Sequence, residues 1–160
     1  MSDRIVVMDR GRIEQVGNPR EIYLNPVSPF VANFIGTTNL IPATAHTVSH
    51  EAIQLMTPDG PFSAPGTDLD VTEGKEYIIS IRPESVRLTV EIDKSEENSF
   101  LGKIDFKRHV GELIEYYINT RAGQEIIASY QTGSPEFVEG DTVRVIFDRE
   151  ACRLLDKAYP

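Results

Sequence analysis

Apolar and polar positions fall into short, mostly alternating runs along this chain, and the run from Tyr77 to Leu88 organises the rest. Tyr77, Ile78, Ile79 and Ile81, broken only by Ser80, have the β-branched and aromatic composition of a strand buried on at least one face. Arg82-Pro83-Glu84 stops that run, because proline donates no backbone hydrogen bond and drives Arg82 toward an extended conformation. Val86 and Leu88 then resume the alternation. Strand, corner, strand is how a small sheet turns to close a barrel or sandwich.

Ahead of this spine, Ile5 to Met8 and Ile13 to Val16 predict a hairpin turning at Asp9-Arg10-Gly11, with a glycine for the left-handed position. A lone hairpin is marginal and needs a surface to lean on. Asn18-Pro19 and Ser28-Pro29 each read as N-cap plus proline at the first helical position. They start a short helix over Arg20 to Leu24 and a second carrying Phe30, Val31, Phe34 and Ile35 on one face, ended by Gly36. From Thr37 onward the pattern is of strands: Leu40 to Val48, Ala52 to Met56, and a Pro-, Gly- and Asp-rich loop from Pro61 to Gly74 with a short strand at Phe62. An acidic loop follows from Asp93 to Ser99. In Phe100 to Phe106 the alternation puts Phe100, Gly102, Ile104 and Phe106 on one side. Glu115 to Asn119 and Glu125 to Tyr130 predict a second hairpin, and Thr142 to Phe147 with Cys152 to Leu155 a third. Short strands with turns every eight to twelve residues point to a mainly β, OB-like small barrel or sandwich, preceded by a β-hairpin and two short helices. The expected division is residues 1–36 and residues 37–160.

Length suits one domain or two small ones. No apolar run reaches the roughly 20 residues of a membrane span, and no targeting leader is expected. The net charge is −9. Arg4, Arg10, Arg12 and Arg20 balance Asp3, Asp9, Glu14 and Glu21, so the excess negative charge lies wholly beyond residue 36. That sign disfavours nucleic acid and anionic lipid as partners. Catalytic patterns are scarce: no phosphate-cradling glycine loop and no nucleophile elbow occur. His46 and His50 share a strand face four residues apart, too far for ordinary ligation. The acidic side chains gather in loops, as a solvated face does. Cys152 has no second cysteine to pair with and reads as half-buried packing. Lys107-Arg108-His109 beside Phe106 is the one basic cluster with an aromatic neighbour.

Two groups of residues resemble a known family. Asp3 to Gly17, then Pro19 to Tyr23, Pro26, Phe30 to Gly36 and Asn39-Leu40, look like the end of an ATP-binding cassette of the bacterial importers for maltose-type sugars, ferric iron or polyamines. Ser80 to Leu88, with its Ile-Arg-Pro-Glu, looks like the signature strand of the TOBE (transport-associated OB) domain that follows in that family. Ile104-Asp105-Phe106 with Gly111 and Glu115-Tyr116, Gly140 to Val145, and Leu154 to Asp156 fit it as well. Lys107 to Val110 stand where the family commonly has a leucine and a glycine.

The resemblance implies that 1–36 end a nucleotide-binding domain and that 37–160 form a regulatory and dimerisation TOBE domain. Arg82, Pro83, Glu84 and Gly111 are then structural or regulatory signature residues. It implies no catalytic, cofactor-binding or metal-binding residue and no enzyme activity here, since the phosphate loop, signature motif, catalytic glutamate and switch histidine have no counterpart. ATP and Mg would belong to the longer parent subunit, a cytoplasmic homodimer peripheral to the inner membrane that meets transmembrane permease subunits. A different class of function, sensing a small oxyanion or metabolite, would use Arg82, Arg87, Lys107 and Arg108 as contacts, although a local Arg82–Glu84 ion pair is a simpler role for the corner.

Overall fold

A computed structural model describes residues 3–93, 96–134 and 136–157; Met1, Ser2, Lys94 and Ser95 of the acidic loop, Pro135, and residues 158–160 lie outside it. Strands β1 (Ile5–Asp9) and β2 (Arg12–Gly17) form the first hairpin. Asp9 pairs with Arg12 across a two-residue turn in which Arg10 and Gly11 both have positive φ, of 46° and 80°. Helix α1 (Pro19–Leu24) is capped by the Asn18 side chain on the Glu21 N–H, and α2 (Pro29–Ile35) by Ser28 on the Val31 N–H. Val7, Ile22 and Val31 make a small core of their own, with Ile5 and Ile35 packed against it. The hairpin thus leans on the two helices. On α2 the buried side chains are Val31 and Ala32, while Phe30 and Phe34 stack on each other outside at 5.7 Å. The expected apolar face was rotated, because the helix must present Val31 to Val7.

The rest is two five-stranded antiparallel sheets. One holds β3 (Asn39–Val48), β4 (Ala52–Thr57), β5 (Gly60–Pro65), β6 (Glu76–Ile81) and β12 (Arg153–Asp156), ordered β12-β6-β3-β4-β5. The other holds β7 (Val86–Thr89), β8 (Ser99–Val110), β9 (Leu113–Thr120), β10 (Glu125–Gln131) and β11 (Thr142–Phe147), ordered β10-β9-β8-β11-β7. Their inner faces share one core, in which Phe62, Phe100 and Phe147 meet at centroid distances of 5.4–6.2 Å. Gly102 sits against β9 so closely that a Cβ there would lie 2.5 Å from Ile118 Cγ2.

Three expectations change. Strand β5 runs six residues where only Phe62 stood out, because Gly60–Pro65 pair throughout with Ala52–Thr57 of β4. A register shift between Ile104 and Phe106 turns Phe106 to the outer face, 41% exposed, although Phe100, Gly102 and Ile104 point inward as expected. Thr142–Phe147 and Arg153–Asp156 are not a hairpin: β11 and β12 belong to different sheets. A 3-10 turn at Arg149–Ala151 carries the chain between them, just as a 3-10 turn at Pro83–Ser85 carries it from β6 to β7. The two bent strands run antiparallel, β6 pairing with β12 and β7 with β11. Both therefore change sheets at one corner.

Buried amides cover one residue on each of two edge strands, β10 and β5. Asn39 gives its side-chain N–H to the Ile127 carbonyl at 2.9 Å and accepts the Ile127 N–H at 2.7 Å, standing in for a strand beside β10. Asn98 does the same for Ser63 on β5, at 2.7 and 2.6 Å. Covered edges do not recruit other chains. No helix among the described residues is long and apolar enough to cross a membrane.

Candidate functional site

The corner residues Arg82-Pro83-Glu84 are brought together with the two N-terminal helices. Strand β6 ends at Ile81 in the core, Arg82 is extended (φ −75°, ψ 146°), and the proline opens the 3-10 turn, closed by the Ser85 N–H on the Arg82 carbonyl. The Arg82 side chain leaves the sheet and is only 7% exposed. Its Nη1 donates to the carbonyls of Ala32 (3.0 Å), Gly36 (2.9 Å) and Thr37 (3.2 Å), and its Nη2 to that of Tyr23 (3.0 Å). The guanidinium also lies 4.0 Å over the Tyr23 ring. Carbonyls at helix C-termini have no partner within the helix and attract cations, so a single arginine caps both helices. That explains how α2 ends, as expected, at Gly36, whose φ of 166° is an extended conformation rather than a left-handed glycine cap.

Glu84 does not pair with Arg82. Its carboxylate accepts the Tyr23 hydroxyl at 2.6 Å, so the simple local ion pair gives way to two separate contacts with α1. Burial, and next the hydrogen bond to Glu84, push the Tyr23 phenol from the ordinary 10.0 up to about 12. Burial also pulls the Arg82 guanidinium below its ordinary value, which Tyr23 and Glu84 oppose. The second corner adds a tie, since Arg153 Nε donates to the Asn25 side chain at 3.1 Å. Gly111 is not part of this site. It lies with Glu112 in the β8–β9 turn at φ 61°, where Val110 pairs with Leu113.

The other cations considered for an anion site are dispersed and engaged. Arg87 pairs with Glu96 at 2.9 Å, Lys107 with Glu136 at 2.7 Å, and Arg108 with Glu115 at 2.6 Å. Lys107 to Val110 simply continue β8 to its turn. Among the described residues no three His, Cys, Asp or Glu side chains converge to hold a metal ion, and His46 sits exposed on β3. Cys152 is fully buried rather than half-buried; its thiol donates to the Asp148 carbonyl at 3.2 Å, and burial pushes it up to about 12. Sequence reasoning passed over Asn25 and Asn98, and gave Tyr23 and Asn39 no role beyond the match to a cassette tail. Only the nearby caps and the match to a cassette tail marked Tyr23's neighbourhood at all.

A family model described as "TOBE domain" matches residues 79–155, from β6 through β12. The spermidine/putrescine import ATP-binding protein PotA of Trichodesmium erythraeum is 33% identical over 99% of this chain and 43% of its own length. The protein of that name in Vibrio vulnificus is 40% identical over 81% of this chain, and that of Thermotoga maritima 36% over 77%, each alignment taking up 34% of the relative. The chain carries a TOBE domain and matches the ATP-binding subunits of ABC importers over nearly its whole length. It spans less than half the length of these curated relatives. The TOBE domain is a non-catalytic region of such an ATPase. Among solved structures, the cytoplasmic molybdate-binding protein ModG superposes with a TM-score of 0.63 at 14% identity, over 72% of this chain and 94% of that one. That likeness is one of fold, and it agrees with an OB-like β architecture.

Proposed function

We propose that this region is the regulatory and dimerisation part of an importer's ATP-binding subunit, with residues 37–160 as the TOBE domain and residues 1–36 as the end of the nucleotide-binding domain. In the whole subunit, ATP and Mg would sit in the preceding ATPase part, and the substrate class suggested by the relatives' names is a polyamine such as spermidine or putrescine. The subunit would work as a cytoplasmic homodimer, peripheral to the membrane, against its permease subunits. The observation that supports coupling is the Arg82 pin. One side chain rooted in the barrel holds the C-terminal carbonyls of both helices, so a displacement of the helices must either carry the barrel along or break these bonds. A regulatory signal shifts such a two-state element only by its differential affinity for the two arrangements.

The oxyanion-sensing alternative draws no support from its four candidate cations, each of which already has a partner. The test of coupling is the full-length subunit reconstituted with its permease, with and without Arg82→Met. Transport should fall several-fold while ATP hydrolysis persists. Equal transport per ATP in the two proteins would refute the coupling role.

A further inference from the structure

Beyond Lys103, β8 no longer pairs with β11, and β8, β9 and β10 continue as a three-stranded arm. The arm's inner face is closed by Ile114, Tyr116 and Ala128, with Tyr130 and Phe137 edge-on to Tyr116. Its outer face carries two apolar rows in register, with Ser129 and Gln131 as the polar positions on β10. Phe106 stacks on Tyr117 at 4.3 Å, with Ile127 next in the row; Val110 faces Leu113 at the tip, and all of these are exposed or half-buried. Between the two apolar rows lies one ion pair, Arg108 with Glu115, the guanidinium also 5.5 Å from the Tyr117 ring.

Two copies of a −9 chain repel each other over most orientations. On the outer face, Phe106, Arg108 and Val110 with their β9 partners Tyr117, Glu115 and Leu113 carry one positive and one negative side chain, hence no net charge, while Lys107 pairs with Glu136. A twofold axis parallel to the strands and through the centre of that cross-strand pair places each charge beside its opposite on the other copy, which is the self-complementarity an isologous contact needs. Pairing through the β10 edge is closed at Ile127 by Asn39, so association here is face to face.

We propose that this outer arm face is where two copies of the chain meet, with Arg108 of one copy against the partner's Glu115. This rests on the dimerisation reading above and names its surface. The patch is small, three strands wide, so the dimer formed by this chain alone is weak and concentration-dependent.

The test is sedimentation of the wild type, Arg108→Glu, Glu115→Arg, and an equimolar mixture of the two variants. The wild type should dimerise. Either variant alone sets like charges across the axis and should raise the dissociation constant about tenfold or more. The mixture restores opposite charges in both contacts and should return near the wild-type value. Mixing cannot repair a purely intrachain pair, so a mixture as weak as its components overturns the proposal. Val110→Glu, at a 43% exposed tip position, is the second probe and should weaken the dimer without changing the melting temperature. If the wild type dimerises and none of the variants weakens it, this face is wrong while the dimerisation reading stands. If the wild type stays monomeric at millimolar protein, both fall.

Discussion

Arg82→Met keeps most of the side chain's aliphatic bulk and removes the guanidinium, leaving four carbonyls without their donor. Hydrogen bonds from a charged donor are worth about 1.5–3 kcal/mol each, but four such terms cannot be added. Three of them share Nη1, and the buried guanidinium has its own desolvation cost, seen in its lowered pKa. A net loss of about 3 kcal/mol remains. The loss should be local, because the helical segment has a separate core of Val7, Ile22 and Val31 and is otherwise tied to the barrel by Tyr23–Glu84 and Arg153–Asn25. Native-state hydrogen exchange reads this directly. The Ile22 and Ala32 amides, bonded to the Asn18 and Ser28 carbonyls, should exchange roughly a hundredfold faster, while Ile118 and Val145 in the barrel keep their protection. Arg82→Lys should recover only part, since an ammonium cannot match the planar fork or its stacking on Tyr23. Equal acceleration in helices and barrel, or none anywhere, would refute the pin.

Tyr23→Phe should cost about 1 kcal/mol by chemical denaturation, and nothing further in a Glu84→Ala background, which lacks the acceptor. Because the folded phenol titrates at about 12 rather than 10.0, its contribution is complete below pH 10 and is lost as pH rises through 12; spectrophotometric titration should show this phenol ionising late, and Tyr23→Phe should remove that step. Cys152, buried with its thiol raised to about 12, should resist thiol reagents in the native protein and react at once in denaturant. Gly102→Ala places a Cβ against Ile118 and should lower stability by about 1–3 kcal/mol, measured by urea unfolding.

Most of the strands were legible because one face of each is buried, and alternation records that directly. The caps at Asn18 and Ser28 were legible because capping is local chemistry. What alternation cannot record is which sheet a strand joins. Thr142–Phe147 and Arg153–Asp156 are close in sequence and strand-like, yet the 3-10 turn between them sends them apart. Phe106 was misplaced for a related reason, since a one-residue bulge reverses every side chain after it. The corner itself was visible through Pro83, but its function was not. Arg82's acceptors are backbone carbonyls some 45 to 59 positions away, and a carbonyl leaves no mark on a sequence.

The sheet change and the pin are two results of one geometric fact. A residue within a continuous strand directs its side chain to the core or to solvent above the sheet. Arg82 is the first residue past the end of β6, before β7 begins in the other sheet, so its side chain is free to project past the sheet's end toward the helices. The paired corner adds its own tie: Arg153, the first residue of β12 after the second 3-10 turn, reaches Asn25 at the end of α1. Because β6 pairs with β12 and β7 with β11, the two corners cannot shift independently, and a pull on either arginine is shared by four strands spanning both sheets. A connection placed at the sheet switch is therefore stiffer than one placed on a loop, and it is the stiff kind that a domain needs if it is to feel its neighbour move.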